Sequence, residues 1–295
     1  MKINLYLCYG GDVEAALAAD PDIAGQFKLG VSAFWVDGES EAFDRILELT
    51  KTTSGLRLTP DCVFTAKEQS QARYFQVLSR KRVKASMPDN LANLAHVKAL
   101  TPVKTAEGLA IKRMERIELS KVVLDANTVA VLDDWAAEYL AGANVAELLK
   151  KAGLKGLELR PVYHRKTKAP HEGVFQLYTE SVMPPVERNI SVLGVRAAAF
   201  SEDSPVRMLG ALSYALDGAP ELADFNRTAE PFSSNQLPFW VVSRKVVELF
   251  QEHEVKGWVF RPVLETGTAL YKDHLARWEV LRKKLASNPR HHFAV

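Results

Sequence analysis

Two histidines, His164 and His171, stand with Glu172 in the polar stretch HRKTKAPHEG, residues 164–173. Imidazole and carboxylate groups are the usual means of proton transfer and of metal binding. The spacing here matches no ligand pattern of a zinc site, and Arg165 and Lys166 bring cations between the two rings. Loops carry recognition more often than cores do, so His164, Arg165, Lys166, His171 and Glu172 are taken as candidate partner-contact residues. The competing reading is an enzyme or small-molecule site assembled from scattered residues around His164, Arg160 and Glu172. A preformed apolar pocket with converging polar groups would favour that reading. Cys8 and Cys62 are the only cysteines, too few for a disulfide framework or a four-cysteine zinc site, and both read as small buried hydrophobes. No serine sits in a Gly-x-Ser-x-Gly context. The neighbours Asp133 and Asp134 would diverge by about 100° on a helix and would not share a proton. No catalytic residue, metal ligand or cofactor is assigned.

The elements that position these residues contain a repeat. Val145–Val162 reads VAELLKKAGLKGLELRPV and Val246–Val263 reads VVELFQEHEVKGWVFRPV, with eight identities in eighteen positions. Val145, Leu148, Leu149 and Ala152 fall on one helical face; Lys-Gly follows, and then an alternating strand closes at proline. Gly153 is placed to end the first helix in the left-handed conformation, whereas the second copy has Glu254 there. The second strand is apolar in both phases, Trp258 and Phe260 on one and Val259 on the other, which predicts a more central position in its sheet. Arg160 and Arg261 are expected to pair locally at strand ends.

In chain order, Ile3–Tyr9 reads as a strand and Asp12 as the cap of a short helix through Leu17. Val31–Val36 reads as a second strand, and a helix capped by Ser40 runs to Thr50. Asp61–Thr65 and Arg73–Leu78 read as further strands. The peptide VLSRKRV, Val77–Val83, resembles VVSRKVV, Val241–Val247, and suggests a decayed third copy. Asp133 is placed to cap a long helix that Gly142 and Asn144 divide before the first repeat. Residues 218–238 look irregular, and Leu270, His274, Trp278, Leu281 and Leu285 define an amphipathic C-terminal helix. Trp240, Trp258 and Trp278 lie in apolar periods and are expected in the core.

With 47% hydrophobic and 25% charged residues the composition is that of a soluble globular protein, and no apolar run is long enough to cross a membrane. The start, MKINLYLCYGGDVEAA, reads as a strand and not as a secretion signal, and a cytoplasmic location is expected. Net charge is +2, but residues 1–50 hold three basic against nine acidic residues, and residues 51–120 thirteen against six. The densest basic run, Arg80, Lys81, Arg82 and Lys84, lacks a nucleic-acid motif around it and reads as a solvated face; no nucleic-acid or membrane partner is expected.

Asp224–Val263 resembles the C-terminal half of bacterial immunity proteins of the double-CxxCG kind and their relatives, which accompany secreted polymorphic toxins. Asp224, Phe225, Arg227, Ser243, Val247, Gly257, Pro262 and Val263 stand at the positions of that pattern. RYFQVLS, Arg73–Ser79, and GLELRPV, Gly156–Val162, are similar to the N-terminal half. The two CxxCG motifs themselves are absent, and zinc drops out with them. The resemblance implies a cytoplasmic protein that binds a cognate toxin domain and neutralises it by direct protein–protein contact, with no cofactor and no catalytic residue.

The fold expected is α+β, with mixed or antiparallel sheets and helices packed on one side. The expected regions are an N-terminal α/β part over 1–118, the first repeat over 119–185, and the second repeat with its C-terminal helix over 186–295.

Overall fold

The computed structural model describes residues 1–27, 33–53, 56–85, 100–104, 110–114, 116–132, 138–187, 211–217, 221–230, 238–286 and 292–293. The fold is α+β. Two compact units emerge, each drawn from separate stretches of chain: Met1–Gln71 with Glu187–Tyr214 and Leu264–Val295, and Ala72–Val186 with Ala215–Val263.

The first unit is built on β1 (Lys2–Cys8), which pairs antiparallel with β2 (Ala33–Asp37) and β3 (Arg57–Val63). Its alternation buries Ile3, Leu5 and Leu7 and leaves Asn4 and Tyr6 half-buried, so one face of the sheet carries the core. Helices α1 (Gly11–Ala18), α2 (Pro21–Gln26) and α3 (Glu41–Leu49) supply Val13, Leu17, Ile23, Phe43 and Ile46 to it. The C-terminal helix, Ala269–Ala286, adds Trp278 and Leu281. Ser40 caps α3 as its position predicts, accepting from the Phe43 N–H at 3.2 Å. Asp12 does not cap α1: it lies inside the first turn, and Gly10 holds the N-cap without a side-chain bond. Helix α4 (Ala66–Gln71) presents Glu68 to the N-terminal amine of Met1.

The second unit holds two four-stranded arrangements that repeat one plan. The first contains β5 (Val129–Val131), β6 (Tyr139–Gly142), α5 (Ala143–Ala152), β7 (Glu158–His164) and β8 (Pro170–Tyr178). The second contains β9 (Phe225–Arg227), β10 (Trp240–Ser243), α6 (Arg244–Glu252), β11 (Trp258–Pro262) and β4 (Tyr74–Ser79). Strand order is β5-β6-β8-β7 in one sheet, with the short strand Glu118–Leu119 beyond β7, and β9-β10-β4-β11 in the other. Thus β4, from the start of the unit, occupies the place that β8 fills in its counterpart. The registers agree: Gln176 lies opposite Leu140 and Arg160, and Gln76 opposite Val241 and Arg261.

The strand that precedes each helix–strand repeat in the chain, β4 before the first and β8 before the second, therefore belongs to the sheet of the other copy. The backbone bonds that follow are matched pairs. Val131 N–H donates to Lys81 O and Val83 N–H to Val131 O, while Arg227 N–H donates to Ser181 O and Met183 N–H to Arg227 O. Val129 N–H bonds Lys256 O, and Phe225 N–H bonds Lys155 O. These three bonds of one copy each have a mate in the other, as across a two-fold axis. The Lys-Gly pair shared by the repeats is explained by this exchange. Gly156 (φ 82°) and Gly257 (φ 104°) lie where the partner copy's strand crosses. A Cβ at Gly257 would fall 1.7 Å from Val129 O, and one at Gly156 would fall 2.6 Å from Phe225 O. One core, holding Val77, Leu177, Phe225, Trp240, Trp258 and the inner faces of α5 and α6, is shared by both copies.

Several expectations change. Tyr139–Gly142 is a strand, and α5 begins only at Ala143 with Gly142 at its N-cap; Asn144 caps nothing, and Asp133 lies outside the described residues. Phe225–Arg227, within the stretch read as irregular, is also a strand. The Trp258–Pro262 strand is at a sheet edge and not central; its Trp258 stacks on Phe250 at 5.2 Å. Val77–Val83 is no third copy. No helix follows Ser79; the segment is the counterpart of Leu177–Met183. Glu254 takes φ 50° at the position of Gly153 (φ 64°), so both helices end in the left-handed conformation, one of them on a side chain that tolerates it poorly. Trp240, Trp258 and Trp278 are all core residues.

Candidate functional site

His164, Arg165, Lys166, His171 and Glu172 all lie on the β7–β8 hairpin. The turn is closed by His164 N–H to Ala169 O at 2.7 Å and Lys168 N–H to His164 O at 2.8 Å, with Lys168 left-handed at φ 59°. The imidazoles of His164 and His171 come together, ring centroids 5.2 Å apart. Both are engaged: His171 Nε2 donates to Leu119 O at 3.1 Å, and His164 Nδ1 accepts the Lys166 N–H at 3.3 Å. Among the described residues no three His, Cys, Asp or Glu side chains cluster as metal ligands. Arg165, Lys166 and Glu172 are exposed.

A second segment braces the hairpin. Glu118–Leu119 runs parallel to β7; Arg165 N–H donates to Leu119 O at 2.9 Å, and Glu118 takes Lys168 Nζ at 2.5 Å. The Lys168 bond holds the Glu118 carboxyl below the usual carboxylate range. Arg116 lies 4.0 Å over the Tyr163 ring at the base. Side-chain and backbone bonds thus fix the loop from both flanks, and Arg165 and Lys166 project from it into solvent.

Arg160 does not join this cluster. Its guanidinium pairs with Glu158 at 2.6 Å and covers the Tyr178 ring at 3.3 Å, the local pairing expected at a strand end. Arg160, His164 and Glu172 therefore do not converge.

A buried ion pair escaped the sequence reading. Arg227 Nη2 donates to both oxygens of Glu138, at 3.0 and 3.1 Å, and both side chains are fully buried. Gln176 Nε2 donates to the same carboxylate at 3.3 Å, and Trp240 lies 4.9 Å from the guanidinium carbon. The three residues come from β9, β8 and the segment before β6, so the pair ties one copy to the other. Arg227 lay within a stretch singled out by resemblance, but nothing near Glu138 marked it as the partner.

The first unit has its own buried polar group. His274 Nε2 accepts from Trp278 Nε1 at 2.9 Å, so the neutral imidazole carries its proton on Nδ1, which faces Met1 Sδ at 3.2 Å and Cys62 Sγ at 3.9 Å. That tautomer has no Nδ1 lone pair for a metal and identifies a core histidine. Burial pushes His274 down to about 4 from an ordinary 6.5. Because the folded value is the lower one, the unfolded chain takes up the proton first. Stability that is full above pH 6.5 is expected to fall by about 3 kcal/mol as pH drops toward 4. Urea titrations at half-unit pH steps check this: His274→Gln, which keeps an acceptor for Trp278, should flatten the slope over that window, and an unchanged slope would place its origin elsewhere.

No helix among the described residues is long and apolar enough to cross a membrane. No protein-family model matches the sequence, and no curated protein matches it.

Proposed function

We propose that this chain is an immunity protein that neutralises a cognate toxin domain by direct contact, and that it meets the toxin with the β7–β8 hairpin. The observation that carries the reading is the hairpin itself: a short cationic loop held rigid on both flanks, standing on a scaffold whose two copies lock each other in place. A rigid loop loses little conformational entropy on binding, the property an inhibitor needs for tight association. Arg165 and Lys166 suit an acidic face on the toxin and would speed encounter with it. The stretches Asp224–Val263 and Arg73–Ser79, which resemble immunity proteins, lie in the same unit as the hairpin, and that supports the reading. In this reading the protein acts from the cytoplasm.

The partner to test is the product of the reading frame immediately upstream, which this reading predicts to carry a toxin domain. Surface plasmon resonance with the intact chain should detect a complex. Arg165→Glu with Lys166→Glu should weaken it at least about ten-fold, mostly through slower association at low salt, because each reversal turns attraction into repulsion. Thermal stability should stay within about 0.5 kcal/mol, since both side chains are exposed. Unchanged affinity in the double variant would remove the hairpin from the interface.

A further inference from the structure

The two-copy plan contains one place where its halves differ in a way that points to a ligand. Around Arg227 and Glu138 the space between copies is filled by their ion pair. At the matching place in the other copy the equivalents are Val131 and Phe239, and a cavity of about 270 Å³ opens. Val77, Val131, Tyr139 and Phe239 wall it, and Arg80 and Arg82 stand on its lining. Their counterparts in the filled copy are Glu180 and Val182. None of the described residues lining the cavity is acidic.

The backbone that carries the two arginines is fixed. Arg80 N–H donates to Gly257 O at 2.9 Å, Lys81 O accepts from Val131 N–H at 2.9 Å, and Val83 N–H donates to Val131 O at 2.9 Å. This extended path sends Arg80 and Arg82 to the cavity side and sets the Lys81 stem against Gly257. Both guanidinium-bearing residues are exposed, whereas the walls below are apolar. A planar guanidinium recognises a carboxylate through paired N–H donors, and two of them above an apolar pocket select an anion with an apolar body.

We propose that this cavity binds a carboxylate borne on an aromatic or aliphatic body, with Arg80 and Arg82 holding the anion and Val77, Val131, Tyr139 and Phe239 packing the rest. The site is separate from the hairpin and stands whether or not the toxin reading does.

The test is a titration of the full chain, followed by NMR, with 3-phenylpropionate, its neutral amide, and the blocked dipeptide acetyl-Phe-Glu-amide. Saturable binding of at least one acid is expected at millimolar concentration, with the amide about ten-fold weaker or more. Arg80→Gln with Arg82→Gln should reduce acid binding about ten-fold while leaving the thermal midpoint in place, since neither side chain is buried. Tighter binding of the dipeptide would assign the site to an acidic side chain of a protein, and tighter binding of the free acid to a small organic acid. Equal binding of acid and amide, an unaffected double variant, or no saturation by about 20 mM would overturn the proposal.

Discussion

Glu138→Ala is expected to destabilise the second unit by about 3–5 kcal/mol, lowering its melting temperature by on the order of 10 °C. The cause is the charge left behind. Arg227 is fully buried, its Nε and Nη1 have no partner among the described residues, and Nη2 is held by Glu138. Removing the carboxylate leaves a desolvated guanidinium beside the Trp240 ring with no carboxylate to pair it among the described residues. The pair need not be net stabilising for this to hold, because an apolar pair of similar volume often matches a buried ion pair. Arg227→Met combined with Glu138→Leu should therefore recover most of the loss. Differential scanning calorimetry of the two variants checks the argument. A double variant as unstable as Glu138→Ala would mean that the pair contributes through packing, not charge.

Gly257→Ala is the second large effect. Its Cβ would sit 1.7 Å from Val129 O, at a backbone angle of +104° that side chains rarely adopt. Relief requires moving β5, which bonds both Lys256 and the Lys81–Val83 segment. A loss of about 4 kcal/mol or more is expected, enough to leave little folded protein if the unit is marginally stable. Gly156→Ala should behave alike, with its Cβ 2.5 Å from Ala223 Cβ and 2.6 Å from Phe225 O. Gly153→Ala is the control: its φ is also positive, but nothing lies within 4 Å, so only about 1–2 kcal/mol of backbone strain remains. Circular dichroism melts of the three variants should rank Gly153→Ala well above the other two. Similar losses at all three positions would make conformational strain the cause and remove the crossing strands from the explanation.

The helix–strand repeat was legible because its packing positions recur as identities, from Val145/Val246 to Val162/Val263. The leading strands left a fainter trace, Phe75-Gln76 and Phe175-Gln176. Each pairs with the sheet of the opposite copy, and long-range pairing of that kind has no local signature in an alternating pattern. Tyr139–Gly142 read as helix because leucine and alanine favour helix; its place between β5 and β8 overrides that preference. Asp12 read as a cap because aspartate suits that role, but the cap is Gly10 and α1 starts two residues earlier. The polar loop was visible from composition, whereas the strand that already begins at Pro170 and the brace, Glu118 bonded to Lys168 fifty residues on, were not. The Glu138–Arg227 pair spans 89 residues and was invisible for the same reason.

Survival of cells that express the product of the upstream reading frame, which the proposed function predicts to be toxic, tests the functional account most directly. Co-expression of the intact chain should restore growth, and the Arg165→Glu, Lys166→Glu chain, folded to the same extent, should protect less at equal protein level. Cells that die at the same rate with and without the intact chain would contradict it.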